Sequence, residues 1–426
     1  MSNNKGNNSK YFEIIPHGTI TSVPEFYAAS CHCGIRKWKE DICIIYTPLN
    51  TCTSGVFTTN KFAAAPVLIN RDQLDNNRDI KAIIINSGIS NACTGDTGIM
   101  NAKKTIELAG NYLNIKKENI LISSTGRIGK QLPMEKIERG IKYCSKNLNA
   151  DGGHHAAKAI LTIDKHAKEI AVKIKINNCK DLISKEDNSH KEIIIGGIAK
   201  GSVMIEPNMA TTLAFISTNI GISEELLDDL LLHETNNSFN CITTDGCQST
   251  NDMVIIQANG QSGIEIKNKG DKYFDKFRSA LFFVLETLAY KVIEDSEGAT
   301  KVVEINVVGA KDKIEAKEIG KKIANSILFK TAIFGEDLNW GRVAAAIGSI
   351  DNHIDQRKVD IYIGEVLLMG SGVAVDYDSD HANRLIKNKC VGFTINLNSG
   401  NGRAKVLTSD ISYEYIKINS LYRKQK

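Results

Sequence analysis

The stretch AKGSVMIEPNMATTLAFISTNI, Ala199 to Ile220, lies close to the midpoint of the 426-residue chain. Its second half reads as a strand from Thr211 through Leu213, Phe215 and Ser217. Threonine is β-branched and common where strands begin, so propensity alone accounts for Thr211 and Thr212. The segment before them is less ordinary, since it sets small residues and a lysine in a loop that runs straight into the strand. Loops of that composition let backbone groups come close to a ligand.

Outward from this segment, strand-like runs alternate with helical periods. KAIIIN (Lys81 to Asn86) precedes a glycine-rich loop and then a helical stripe of Ala102, Ile106, Ala109 and Leu113. ENILISS (Glu118 to Ser124) repeats the plan, with the loop TGRIGKQLP and a helix near Glu135 to Cys144. Phe274, Phe277, Leu281, Leu285, Leu288 and Val292 recur at three- and four-residue steps, which predicts a long helix with one buried face. It ends before DSEGATK, where Gly298 is placed to supply the C-terminal turn, and VVEINVV follows as a strand. These elements predict a mixed α/β architecture with more strand than a simple doubly wound sheet requires. There is no internal repeat and no low-complexity linker.

Composition narrows the chemistry. No run approaches the roughly 18 apolar residues that span a bilayer. The 53 basic and 49 acidic residues, a formal charge of +4, are spread along the chain and leave no footprint for nucleic acid or membrane. The N-terminus MSNNKGNNSKYF has neither the apolar core of a secretory signal nor the Arg-rich pattern of a transit peptide, and reads as a frayed tail. Ten cysteines are scattered from Cys31 to Cys390 without a CxxC pair, a usage that suits the reduced thiols of a cytoplasm. The CHC at Cys31 to Cys33 is half a metal site that no second cluster completes, so no metal is expected. TGDTG and GSGVAV lack the lysine and the spacing of phosphate loops, and no nucleotide cofactor is expected either. Small-molecule chemistry is what remains.

Three loops are placed to carry it. In SSTGRIG (Ser123 to Gly129), Gly126 follows a strand and can aim its N–H, beside the Thr125 hydroxyl, at a developing oxyanion; such donors are each worth about 100- to 1000-fold in rate. A plain strand-to-helix turn has the same local pattern. Glu297 in DSEGATK is either a solvated carboxylate or a clamp on a cationic substrate group. The third loop is the opening segment. Cutting the Ala210–Thr211 bond would leave Thr211 with a hydroxyl and a free α-amine whose ordinary pKa is about 7.7–8.0. One residue would then supply both nucleophile and base. The sequence has no GxSxG elbow, and its nine histidines form no triad-like signature.

The opening segment resembles the self-cleavage motif KGSGMIxPNMATML of the ornithine acetyltransferase family, also called glutamate N-acetyltransferase. The resemblance extends over nearly the whole chain. SGVFTTNKFAAAPV (Ser54 to Val67), INSGISNACTG (Ile85 to Gly95), ISSTGRIGKQLP, SFNCITTDGCQSTND (Ser238 to Asp252), DSEGATK, KTAIFGEDLNWGR (Lys330 to Arg342) and YIKIN (Tyr415 to Asn419) are similar to family blocks in the expected order.

The resemblance implies a self-processing acyltransferase fold, related to that of N-terminal-nucleophile aminopeptidases, with a smaller C-terminal α/β lobe from about residue 305 to 426. It implies cleavage between Ala210 and Thr211 into an α chain of residues 1–210 and a β chain of residues 211–426, which associate as two α and two β chains. Thr211 becomes the nucleophile, Thr125 and Gly126 the oxyanion site, and Thr162, Lys200, Thr211, Glu297 and Asn419 the substrate contacts. The implied reaction moves the acetyl group of N2-acetylornithine to glutamate in arginine biosynthesis, with no bound cofactor. Acetyl-CoA enters only as an alternative co-substrate, in those members that also make N-acetylglutamate from it.

Several positions depart from the family pattern. Val203 stands for the second glycine of KGSGM and brings a β-branched side chain where an unusual dihedral is expected, a change predicted to slow cleavage. Ile89, Ser296, Cys247 and Arg127 replace the residues usual beside the active-site loops, and Lys424 stands where a threonine or serine often contacts substrate. Two other functions stay open at this stage: an amidohydrolase of related fold, in which water resolves the acyl-threonine, and an unprocessed, non-catalytic binding paralogue.

Overall fold

The computed structural model describes residues 10–176, 192–206, 212–351 and 354–421. The N-terminal tail, the Ala210–Thr211 pair and Lys424 lie outside these residues. The strand expected from Thr211 begins at Leu213 and runs to Thr218, with Thr212 in a bend before it, and all six strand residues are buried. Burial on both faces makes it a central strand, and its two neighbours are fixed by register. It runs parallel to Met253–Ala258, with Leu213 opposite Met253, and antiparallel to Ile193–Lys200, with Leu213 opposite Lys200. The sheet continues through Lys168–Ile174 to Phe12–Ile14 on one side and to Cys52–Phe57 on the other.

Two-residue periodicity sorts this sheet's side chains onto two faces. Ile193, Ile195, Ala214, Ile216, Val254 and Ile256 pack against the helices Glu224–Asn237 and Phe274–Glu294. Ile194, Ile198, Leu213, Phe215, Met253 and Ile255 turn the other way, onto Cys43, Ile45, Ile83, Ile85 and Leu121 of a second sheet. That sheet orders Tyr27–Cys31, Ile42–Tyr46, Ala82–Ile89 and Ile120–Arg127, and its outer face is covered by the helices Gly95–Leu113 and Met134–Lys146. The body is therefore four layers deep: helix, sheet, sheet, helix.

A third sheet builds a separate core with the helices Lys313–Ala324, Ile327–Phe334 and Trp340–Gly348; its strands include Val302–Ala310, Cys390–Asn396 and Gly402–Ser409. A short strand, Ile242–Thr243, joins it to the four-layered body by pairing with Leu407 and Thr408. Among the described residues no helix is long and apolar enough to cross a membrane.

Gly298 does not serve as the cap expected of it. Asp295 ends the long helix, in an ordinary backbone conformation. Gly298 lies three residues further on at φ +68°, where a Cβ would come within 2.4 Å of the Tyr415 nitrogen. Its missing side chain is what lets the C-terminal helix Tyr413–Leu421 dock against the loop that carries Glu297.

Phe277 is fully buried in the long helix and sits in the core between that helix and the six-stranded sheet. Phe277→Ala is expected to lower the unfolding free energy by about 3–5 kcal/mol in guanidinium titrations, a loss of transfer energy plus the cost of the cavity. A change below about 1 kcal/mol would show that this packing is not what holds the sheet to its helix layer.

Candidate active site

Lys200 ends the strand beside Leu213, so its side chain stands at the head of the central strand. Its side chain is 12% exposed, and the ammonium donates to the Thr125 hydroxyl oxygen at 3.3 Å. Thr125 comes from the other sheet, at the end of Ile120–Arg127, and the two sheets meet at this point. The neighbouring Gly126 has φ +131°, and a Cβ there would lie 2.2 Å from the Gly88 carbonyl carbon and 2.5 Å from its oxygen. Only glycine fits. The adjoining pair is irregular, with Ile89 opposite both Thr125 and Arg127. Asn251 ties the end together by donating to the Ser90 and Ser124 carbonyls at 2.6 and 2.8 Å.

Behind Lys200 lies a carboxylate that motif reading did not single out. Asp164 has a fully buried side chain, and its Oδ2 is 4.0 Å from the Lys200 ammonium. Its Oδ1 accepts from Lys168 Nζ at 2.9 Å and from the Gly201 N–H at 2.8 Å. Oδ2 accepts from the Thr162 N–H at 3.0 Å and from the Thr162 hydroxyl at 3.4 Å. Burial alone would raise the Asp164 carboxyl, but the Lys200 and Lys168 ammoniums and these hydrogen bonds outweigh it and hold it well below the usual carboxylate range. Lys168 is buried too, and Asp295 Oδ2 meets it at 2.7 Å. Arg36 fixes the Thr162 loop from the other side, donating to the Leu161 and Thr162 carbonyls at 2.5 and 2.6 Å.

Glu297 joins the same cluster through the chain that follows Lys200. Its backbone N–H donates to the Ser202 carbonyl at 3.0 Å, and its Oε2 accepts from Asn419 Nδ2 at 2.9 Å. Oε1 is buried with no hydrogen-bond partner among the described residues. Burial raises the Glu297 carboxyl above its ordinary value, with Asp245 and Asp164 adding to the rise and Asn419 and Lys200 opposing it. The structure thus brings together Thr125, Gly126, Thr162, Lys200, Glu297 and Asn419. Thr211 lies outside the described residues, one position before Thr212, whose carbonyl accepts from the Met253 N–H at 3.0 Å. Asp252, which precedes Met253, is fully buried; burial lifts its carboxyl far above the usual range, and Ser249 and Lys200 only partly offset this.

The segment leading to the cleavage site is held by Asp245. Its carboxylate accepts from the Met204 N–H at 2.7 Å and the Ile205 N–H at 2.9 Å. The residue in the left-handed region is Met204, at φ +55°, and not Val203. Val203 therefore adds a side chain at an unstrained position, and the reason for expecting slow cleavage falls away. Ser296 is accommodated as well, since its hydroxyl pairs with Thr244 Oγ1 at 2.8 Å. Cys247 is exposed, with its thiol on the Asp245 carbonyl at 3.5 Å. Asp164 lies two positions after Thr162, and Asp245 stands within the block SFNCITTDGCQSTND, so both were beside residues that the sequence singles out. Arg36 had no local signal, because its partner lies 126 positions away.

The Thr125 hydroxyl and the Gly126 backbone thus stand near the head of the central strand, with a lysine and a carboxylate in the same cluster. The model of the ArgJ family matches residues 27–424. The chain is 42% identical over 404 residues to the arginine biosynthesis bifunctional protein ArgJ of Thermotoga neapolitana, covering 93% of this chain and 98% of that one. It is 40% identical over 410 residues to the same-named protein of Caldanaerobacter subterraneus, covering 95% and 98%. The crystal structure of ornithine acetyltransferase from Mycobacterium tuberculosis, complexed with ornithine, is 29% identical with a TM-score of 0.41, over 47% of this chain and 100% of that one. The chain belongs to the ArgJ family. It is an acyltransferase of arginine biosynthesis that works on small molecules.

Gly126→Ala should force the two strand ends apart at the Gly88 carbonyl and lower the acyl-transfer rate by about a hundredfold or more, with the chain still folded by circular dichroism. Activity within about twofold of the parent would show that this backbone does not face the reacting carbonyl.

Proposed function

We propose that the chain cuts itself between Ala210 and Thr211 and then moves the acetyl group of N2-acetylornithine to glutamate on Thr211. The observation that carries this reading is the meeting of Thr125, Gly126 and Lys200 at the head of the strand that Thr211 precedes. The Thr211 hydroxyl oxygen attacks the acetyl carbonyl while the residue's own α-amine takes the hydroxyl proton. The Thr125 hydroxyl and the Gly126 N–H stabilise the tetrahedral oxyanion. That oxyanion collapses as the amine returns the proton to the departing nitrogen of ornithine, leaving an acetyl ester on Thr211. The amine of glutamate then attacks the ester, its surplus proton passes to the Thr211 oxygen, and N-acetylglutamate leaves.

Both ends of acetylornithine find a complementary charge. Lys200 suits its carboxylate, and Glu297, with one buried oxygen lacking a hydrogen-bond partner among the described residues, suits its side-chain ammonium. Thr162 and Asn419 complete the contacts. The scheme needs no metal or bound cofactor, and acetyl-CoA, where it serves, would load the same threonine. The products of cleavage, residues 1–210 and 211–426, stay together, two of each, in the cytoplasm. The ladder from Ile193–Lys200 to Leu213–Thr218 crosses the cut and supports that association.

Intact mass under denaturing conditions should resolve two chains divided after residue 210, the second with an N-terminal threonine. Thr211→Ala should give one uncut, folded chain without acetyl transfer; transfer by that variant would remove Thr211 from the mechanism. Glu297 loses its charge at a higher pH than an ordinary carboxyl, because its value is raised. Competitive inhibition by ornithine should therefore weaken on acidification before ordinary carboxylates titrate, at about pH 4.3. Glu297→Gln should bind ornithine weakly at every pH and lose that dependence; an unchanged inhibition constant would place Glu297 outside the site.

A further inference from the structure

A hydroxyl has one hydrogen to give and two lone pairs to receive with. At Thr125 the Lys200 ammonium occupies a lone pair at 3.3 Å, and among the described residues no acceptor takes the hydroxyl hydrogen. That hydrogen is therefore available to an acceptor that a substrate would bring. A positively charged donor on the oxygen also polarises the O–H bond, so the hydroxyl gives a stronger hydrogen bond than it would alone. The ammonium is held in place from behind. Asp164 Oδ2 lies 4.0 Å away, and Asp164 is itself pinned by Lys168 and by the Gly201 N–H next to Lys200. Lys200 therefore sits between a fixed anion and a fixed hydroxyl.

We infer that Lys200 is a positioning residue for the oxyanion site: it orients the Thr125 hydroxyl and strengthens it as a donor to the tetrahedral intermediate, with Asp164 holding the ammonium in register. This rests on the reading of Thr125 as an oxyanion donor, and it adds to Lys200 a role in the chemical step beyond contact with substrate. No covalent step is involved. The consequence lies in kcat, because the donor matters most when the carbonyl oxygen becomes negative.

A double-mutant cycle at saturating acetylornithine and glutamate tests it. Thr125→Val should cost about a hundredfold or more in kcat by removing the donor, and Lys200→Met about tenfold or more by leaving the hydroxyl unoriented and less polarised. In the Thr125→Val/Lys200→Met protein the loss should equal that of Thr125→Val alone, since Lys200 then has nothing to act through. With Thr125→Ser, which keeps a hydroxyl, Lys200→Met should still show its full effect. Folding should survive Lys200→Met, because Asp164 keeps Lys168 and its backbone donors. Lys200→Gln, which keeps a neutral donor, gives a second route and should show a smaller loss of kcat.

Multiplying losses in the double variant would overturn the inference while leaving Thr125 as a donor. A Lys200→Met effect confined to KM would overturn it too, and would make the lysine a substrate contact only. If Thr125→Val costs less than about threefold, the oxyanion reading of Thr125 fails and the inference goes with it.

Discussion

The structure depends on the pairing of Leu213–Thr218 with strands on both sides. The strand is buried on both faces, so its position along the neighbouring strands is set by side chains that must enter two different cores. A slip of one residue would exchange the faces and send Phe215 and Leu213 into the wrong layer. With register fixed that firmly, Lys200 must stand opposite Leu213 and Asp252 must precede the partner of Leu213. The second sheet packs on the same strand, and its parallel pair Ala82–Ile89 and Ile120–Arg127 ends at the same level, which brings Thr125 within hydrogen-bond distance of Lys200. The chemistry is therefore positioned by hydrophobic packing some distance beneath it.

Around that strand head the protein buries charge, which is costly unless every ion is paired. Asp164 and Asp295 offset Lys168 and Lys200, and backbone N–H groups from Thr162, Lys165, His166 and Gly201 donate to the same carboxylates. Such a network adds little net stability against an apolar replacement, yet removing one member leaves another unpaired. Its value here lies in geometry. It fixes the Thr162 loop, the end of the Lys200 strand and the loop after the long helix relative to one another. Those three segments carry substrate contacts in the proposed reaction. Pairing is not complete: Asp295 Oδ1, Glu297 Oε1 and Asp252 Oδ2 are buried with no hydrogen-bond partner among the described residues, and burial raises the Glu297 and Asp252 carboxyls.

Much of the architecture was legible because periodicity reports burial directly. The run KAIIIN enters a strand at Ala82, Ala102, Ile106 and Ala109 are buried on one helix with Leu113 half-buried, and the stripe from Phe274 to Val292 is buried throughout. Backbone conformation was less legible. At KGSVM the left-handed residue is Met204, one position beyond the place where a missing glycine drew attention. Gly298 is required by the close approach of Tyr415, more than a hundred residues away, and no local pattern reveals that. The charge network was hidden for the same reason. Asp164 pairs with Lys168 at helical spacing, which resembles a surface ion pair, whereas its burial and its contacts with Lys200 and Gly201 arise only in the fold.

The central claim is that acetyl passes through an ester on Thr211. Incubating the enzyme with acetylornithine in the absence of glutamate, quenching in acid and mapping peptides by mass tests it directly. The account predicts one acetyl group on the peptide that begins at Thr211, removed by hydroxylamine and by glutamate. Turnover with no acetyl on that peptide, an acetyl on another residue, or an adduct stable to hydroxylamine would contradict it.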